Sequence, residues 1–66
     1  MNVFINGEKT ELSDGLTVAE LIQRLELADQ RIATELNQDI VPRSAYQTTV
    51  LKSDDRVEIV QAIGGG

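Results

Sequence analysis

The sequence contains no cysteine and no histidine. Without cysteine there is no disulfide to staple the fold, no thiolate to hold a metal and no thiol nucleophile. Without histidine the chain also lacks the side chain that most often moves protons near neutral pH and the commonest nitrogen ligand of zinc. No metal site and no cofactor are expected, and the chain does not read as an enzyme. Basic residues are in the minority as well, 6 against 11 acidic, for a formal charge of −5. That balance opposes phosphate backbones and anionic lipid surfaces, so neither nucleic acid nor a membrane is an expected partner. Long apolar runs are absent too. Val3-Phe4-Ile5 falls far short of the roughly 18 residues of a membrane span, and the start shows no basic-then-apolar leader, so the expected location is the cytoplasm.

What remains is 66 residues, 41% hydrophobic and 26% charged, the composition of one small globular domain. A domain of this size buries only about 60% of the surface that its unfolded chain exposes, so the core is small. Asn2 to Asn6 form a β-branched and aromatic run that meets Asn6-Gly7, a pair suited to the positive φ angles of a tight hairpin. The return strand is expected at Glu8 to Leu12, ended by Ser13-Asp14-Gly15. Thr17-Val18-Ala19-Glu20 has the form of a capping box at a helix start. Val18, Leu21, Ile22 and Leu25 then share one helical stripe and predict the buried face of that helix.

Further on, Ile32, Thr34 and Leu36 alternate with Ala33 and Glu35, the period of a half-buried strand. Asn37-Gln38-Asp39 reads as a turn and Ile40-Val41 as a brief strand stopped by Pro42. A single helical turn capped by Ser44 is expected over Ser44-Ala45-Tyr46-Gln47, with Tyr46 covering one end of the core. Thr49-Val50-Leu51 reads as strand, Lys52-Ser53-Asp54-Asp55 as a turn, and Arg56 to Ala62 as the last strand. This order is α+β, one helix across one mixed sheet, and it suits a β-grasp (ubiquitin-like) fold. In that fold the first and last strands run parallel at the sheet centre. The domain is placed at residues 1–63 and a flexible glycine tail at residues 64–66.

Gly64-Gly65-Gly66 is the one compositional break. Glycine has no Cβ and accepts almost any φ and ψ, so Gly64 and Gly65 suit threading through a channel too narrow for side chains. The terminal carboxyl of Gly66 has an ordinary pKa of about 3.3 to 3.7 and is therefore an anion and a poor electrophile at neutral pH. It has to be activated before it reacts. Adenylation makes one oxygen part of a leaving group, after which a sulfur nucleophile can convert the carboxylate to a thiocarboxylate.

Several segments together resemble the thiamine-biosynthesis sulfur carrier family, ThiS, over essentially the whole length. They are Val3-Phe4-Ile5-Asn6-Gly7-Glu8, Thr17-Val18-Ala19-Glu20-Leu21, Ala33-Thr34-Glu35-Leu36-Asn37, Ile40-Val41-Pro42-Arg43, Val57-Glu58-Ile59-Val60 and Ala62-Ile63-Gly64-Gly65-Gly66. The resemblance implies a β-grasp fold and adenylation of Gly66 by an E1-like, ThiF-type adenylyltransferase. It further implies a sulfur relay from a cysteine desulfurase, and delivery of the sulfur to a ThiG-type thiazole synthase that builds thiazole phosphate from deoxyxylulose phosphate and a glycine-derived imine. Asp54-Asp55 departs from the Gly-Asp often found before the last strand of the family. Two other readings use the same fold: a molybdopterin-synthase small subunit, and a ubiquitin-like recognition module.

Alternation also suggests where partners bind. If the first and last strands are neighbours, Val3, Ile5, Val57 and Ile59 face the helix, leaving Phe4, Val60 and Ala62 on the outer face. An apolar patch at the root of the tail is the expected docking surface.

Overall fold

The computed structural model describes residues 1–61. Ala62, Ile63 and the three glycines lie outside the described residues, and with them the docking assignment of Ala62, the division at residue 63 and the tail assignments of Gly64, Gly65 and Gly66.

Strand β1 (Asn2–Ile5) pairs antiparallel with β2 (Glu8–Glu11), Ile5 facing Glu8. The two residues between them, Asn6 and Gly7, have φ of 50° and 82°, the left-handed pair that a two-residue hairpin requires. Helix α1 (Val18–Arg24) begins with the full capping box. The Glu20 amide donates to the Thr17 hydroxyl at 3.1 Å, and the Thr17 amide donates to Glu20 Oε1 at 3.0 Å, satisfying two donors that a helix start otherwise leaves unpaired. The helix is shorter than its apolar spacing suggests. It closes at Leu25, where Leu27 N–H reaches the Ile22 carbonyl and Glu26 N–H the Gln23 carbonyl, both at 3.0 Å. These are the two bonds of a Schellman ending, with Glu26 at φ 60° in the position that glycine usually fills. Val18, Leu21 and Ile22 are buried as the stripe predicts, but Leu25 is 40% exposed because the turn carries it off the helix face. Leu27 packs against the core instead.

Strands β3 (Ile32–Leu36) and β4 (Asp39–Val41) form the second hairpin. Its turn is only Asn37 and Gln38, both left-handed at 51° and 74°, while Asp39 already pairs with Leu36. After Pro42 a 3-10 helix covers Arg43–Ala45, one residue earlier than the expected turn. Ser44 lies inside it and does not cap it; the N-cap is Pro42, whose fixed φ of −67° sets the entry. Tyr46 is buried as expected, and its hydroxyl meets Thr34 Oγ1, also buried, at 2.9 Å. The segment read as a strand at Thr49-Val50-Leu51 reduces to one bridge, Thr17 to Val50, with Val18 and Leu51 amides bonded across it. It ties the helix start to the underside of the core.

Strand β5 (Arg56–Gln61) takes the middle of the sheet order β2-β1-β5-β3-β4. It runs parallel to β1, Phe4 facing Arg56, and antiparallel to β3 along its described length from Val57 to Gln61. This is the β-grasp arrangement. Val3, Val57 and Ile59 point from the sheet into a core closed by Val18, Leu21 and Ile22 of the helix.

Two measurements check these local assignments. The Glu20 carboxyl is held below its ordinary value, first by the Thr17 amide, then by the Thr17 hydroxyl, and least by Arg24. Since the folded value is the lower one, the stabilisation is fully present above the ordinary glutamate pKa of about 4.3 and is lost as pH falls through the folded value. The wild type should therefore exceed Glu20→Gln in urea midpoint at neutral pH, with the gap closing on acidification; a gap independent of pH contradicts the assignment. Glu26→Gly removes a left-handed non-glycine residue at an exposed helix end and should stabilise the fold by about 1 kcal/mol, read as a higher Tm.

Candidate functional site: the central strand and its open face

The helix covers one face of the sheet, and among the described residues the other face is open, with Ile40 and Val60 exposed on it. At the N-terminal end of β5 the turn Lys52 to Asp55 sets the strand in place. Asp54 adopts φ 70°, so an aspartate takes the left-handed position there without a glycine. Asp55 holds the turn from inside: Oδ2 accepts the Lys52 amide at 2.8 Å and Oδ1 accepts Asn37 Nδ2 at 3.0 Å. The departure at Asp54-Asp55 thus leaves a well-formed turn.

Both hairpin turns reach over to β5. Asn37 donates its own N–H to the Arg56 carbonyl at 2.7 Å and accepts the Arg56 N–H on Oδ1 at 2.9 Å. Asn6 donates its own N–H to the Val57 carbonyl at 2.8 Å, while its side chain accepts the Ile59 N–H on Oδ1 at 2.8 Å and donates Nδ2 to the Ile59 carbonyl at 3.3 Å. Sequence reasoning took both asparagines as turn residues and missed this second duty. The available signal was position: each ends a strand that neighbours β5, which puts a short amide within reach of its backbone.

On the open face, Phe4 and Val60 share a side, as alternation predicts, but they do not form one patch. Phe4 stands level with Arg56, and Val60 lies four residues further along β5, about 13 Å away at the rise of a strand. The Phe4 ring is half-buried and carries the Arg56 guanidinium 4.7 Å from its centroid, a cation–π contact that covers the aromatic surface. Val60 is 61% exposed beside Ala33 of β3. Ile40 of β4, 76% exposed, lies on the same face two strands away, level with Glu35 and Glu58; the sequence reading assigned this open-face residue only to a brief strand. Between them Glu35 faces Glu58 on adjacent strands.

On the helix side, a groove of about 320 Å³ flanks the C-terminal half of β5, lined by Ile5, Asn6, Leu25, Leu27, Ile59 and Gln61 among others. A larger groove of about 730 Å³ lies between helix α1 and the 3-10 helix, lined in part by Glu20, Gln23, Arg43 and Gln47, and takes no residue from β5. Among the described residues no cluster of three aspartate or glutamate side chains is placed to hold a metal ion, and no helix is long and apolar enough to cross a membrane.

The site therefore consists of a central strand fixed on both sides and an open face with its exposed apolar residues toward the C-terminal end of that strand. The model of the ThiS family matches residues 3–66. The sulfur carrier protein ThiS of Escherichia coli is 30% identical over 66 residues, covering 100% of both chains. A thiazole synthase of Paramagnetospirillum magneticum is 39% identical over 66 residues, and there the chain spans only 20% of the relative's length. Among solved structures, the thiamine biosynthesis protein ThiS of Geobacter metallireducens superposes with a TM-score of 0.86 at 33% identity, covering 100% of both chains.

Proposed function

The chain belongs to the ThiS family, and on that premise we propose that it is a sulfur carrier of thiamine biosynthesis whose working group is the Gly66 carboxylate. The observation that carries the reading is the match of the family over residues 3–66, which runs through the central strand and into the terminal glycines. The chain acts as a protein cosubstrate, and enzymes elsewhere perform the catalysis.

The chemistry follows from the terminal group. A Gly66 carboxylate oxygen attacks the α-phosphorus of ATP in the site of a ThiF-type adenylyltransferase, breaking the α–β bond and releasing pyrophosphate. A persulfide charged by a cysteine desulfurase then attacks the acyl carbon and expels AMP. A second thiol cleaves the resulting disulfide and leaves the thiocarboxylate on Gly66. Gly64 and Gly65 provide the thin approach that a deep site needs, since no Cβ obstructs it. The recipient is a thiazole synthase, a role supported by the matching segment within proteins of that name. The absence of cysteine leaves no internal thiol to capture the acyl adenylate. The cytoplasm, where ATP and persulfide donors meet, is the proposed location.

The partners dock on the open face. Val60, the more exposed member, anchors the contact together with Ala62, while Phe4 contributes at the far end beneath Arg56. Val60→Glu should weaken binding to both partner enzymes about tenfold or more with the fold intact, as expected for an apolar anchor. Equal affinity for wild type and variant discards Val60 as an anchor. Intact-mass measurement after incubation with ATP, a ThiF-type enzyme and a persulfide donor tests the carrier role itself. One oxygen should be replaced by one sulfur, and the site should map to Gly66. Gain of a whole protein, or no change while the enzyme is active on a control carrier, contradicts it.

A further inference from the structure

Strand β1 ends at Ile5, opposite Val57, and the chain then reverses through Asn6 and Gly7. Strand β5 nevertheless continues to Gln61, with β3 beside it as far as Ile32. On the β1 side the backbone of Ile59 would face no strand. The Asn6 carboxamide occupies that place, taking the Ile59 N–H at 2.8 Å and giving an N–H to the Ile59 carbonyl at 3.3 Å. One primary amide thus supplies the acceptor and the donor that a paired strand residue would supply.

The residue type is restrictive. An aspartate offers the acceptor without the donor, and alanine offers neither. Glutamine would carry the same amide one methylene too far. Asparagine is also among the few non-glycine residues that accept the left-handed backbone, here φ 50°. The conformation that turns the hairpin is therefore also the one that aims the amide at β5.

Asn37 makes a comparable clasp on Arg56, at the start of the strand. The two clasps differ in their place along β5. Downstream of Arg56, Val57 is paired with both β1 and β3, and Glu58 with β3. Among the described residues, Ile59 is the last one held on both sides before the strand runs on to Gln61. We propose that Asn6 is a positioning residue for the Gly66 end: by completing the ladder at Ile59 it sets the line along which the chain leaves the sheet once the open face has docked. The proposal rests on the carrier reading. Losing the clasp leaves the docking face in place but lowers the fraction of docked molecules whose end is correctly aimed, an orientation loss that appears in kcat and spares KM.

The test compares wild type, Asn6→Ala, Asn6→Asp and Asn37→Ala. In the free chain, Asn6→Ala should speed amide exchange at Ile59 about tenfold or more, while Glu58 and Val60, whose N–H groups face β3, keep their protection. In ATP–pyrophosphate exchange catalysed by a ThiF-type enzyme, Asn6→Ala should lower kcat about tenfold at unchanged KM, and Asn6→Asp should fall between it and wild type. Asn37→Ala controls for stability alone and should keep the wild-type kcat despite a lower Tm. An unchanged Ile59 exchange rate, a full kcat in Asn6→Ala, or an equal kcat loss in Asn37→Ala overturns the positioning role. A wild-type chain that the enzyme fails to adenylate contradicts the carrier reading and removes the positioning role with it, a result distinct from any of these.

Discussion

The placement of β5 between β1 and β3 is the constraint on which the rest of this small fold depends. The strand's apolar side, Val57 and Ile59, meets helix α1 through Leu21 and Ile22, and its backbone is shared with β1 from the start of the chain and β3 from its middle. The pairing with β1 joins residues more than fifty positions apart, so it forms only when the hairpin, the helix and the crossover are all in place. A domain this small has little core to spare, and much of that core touches β5 directly. Loss of the β1 pairing would therefore also release the helix and expose the Thr34–Tyr46 bond beneath it. The terminal glycines follow from the most firmly held strand of the sheet.

That arrangement joins stability to function. A carrier that hands its last residue to other enzymes needs a fixed surface for docking and a thin end for delivery, and the two must be held in a constant relation. The strand connects them. Its outward side chains, Glu58 and Val60, belong to the open face, and its described backbone ends at Gln61, five residues before Gly66 in the sequence.

Much of the fold was legible because the signals were local and periodic. Thr17 and Glu20 announce the capping box by spacing alone, Asn6-Gly7 the hairpin, and the alternation of Ile32, Thr34 and Leu36 a strand with one buried face. What was not legible depended on where chain segments end or meet. Leu25 fits the helical stripe, yet the Schellman turn at Glu26 takes it out of the core. Thr49-Val50-Leu51 has strand residues but reaches only the helix start, where a single bridge forms. Phe4 and Val60 share a parity, and only the parallel register of β1 with β5 places Phe4 beside Arg56 and away from Val60. The clasps from Asn6 and Asn37 need the strand order itself, since a turn asparagine gives no hint of which backbone its amide will meet.

The proposal that this β-grasp domain works through its final residue to supply sulfur for thiazole formation can be tested in living cells. The most direct measurement is growth of a strain lacking its own carrier, complemented with the full chain or with the chain ending at Gly65, in medium without thiamine and with or without added thiazole. The full chain should restore growth without thiazole, and the shortened chain, folded and present at equal level, should restore it only when thiazole is supplied. Growth of the shortened chain without thiazole would contradict a working Gly66.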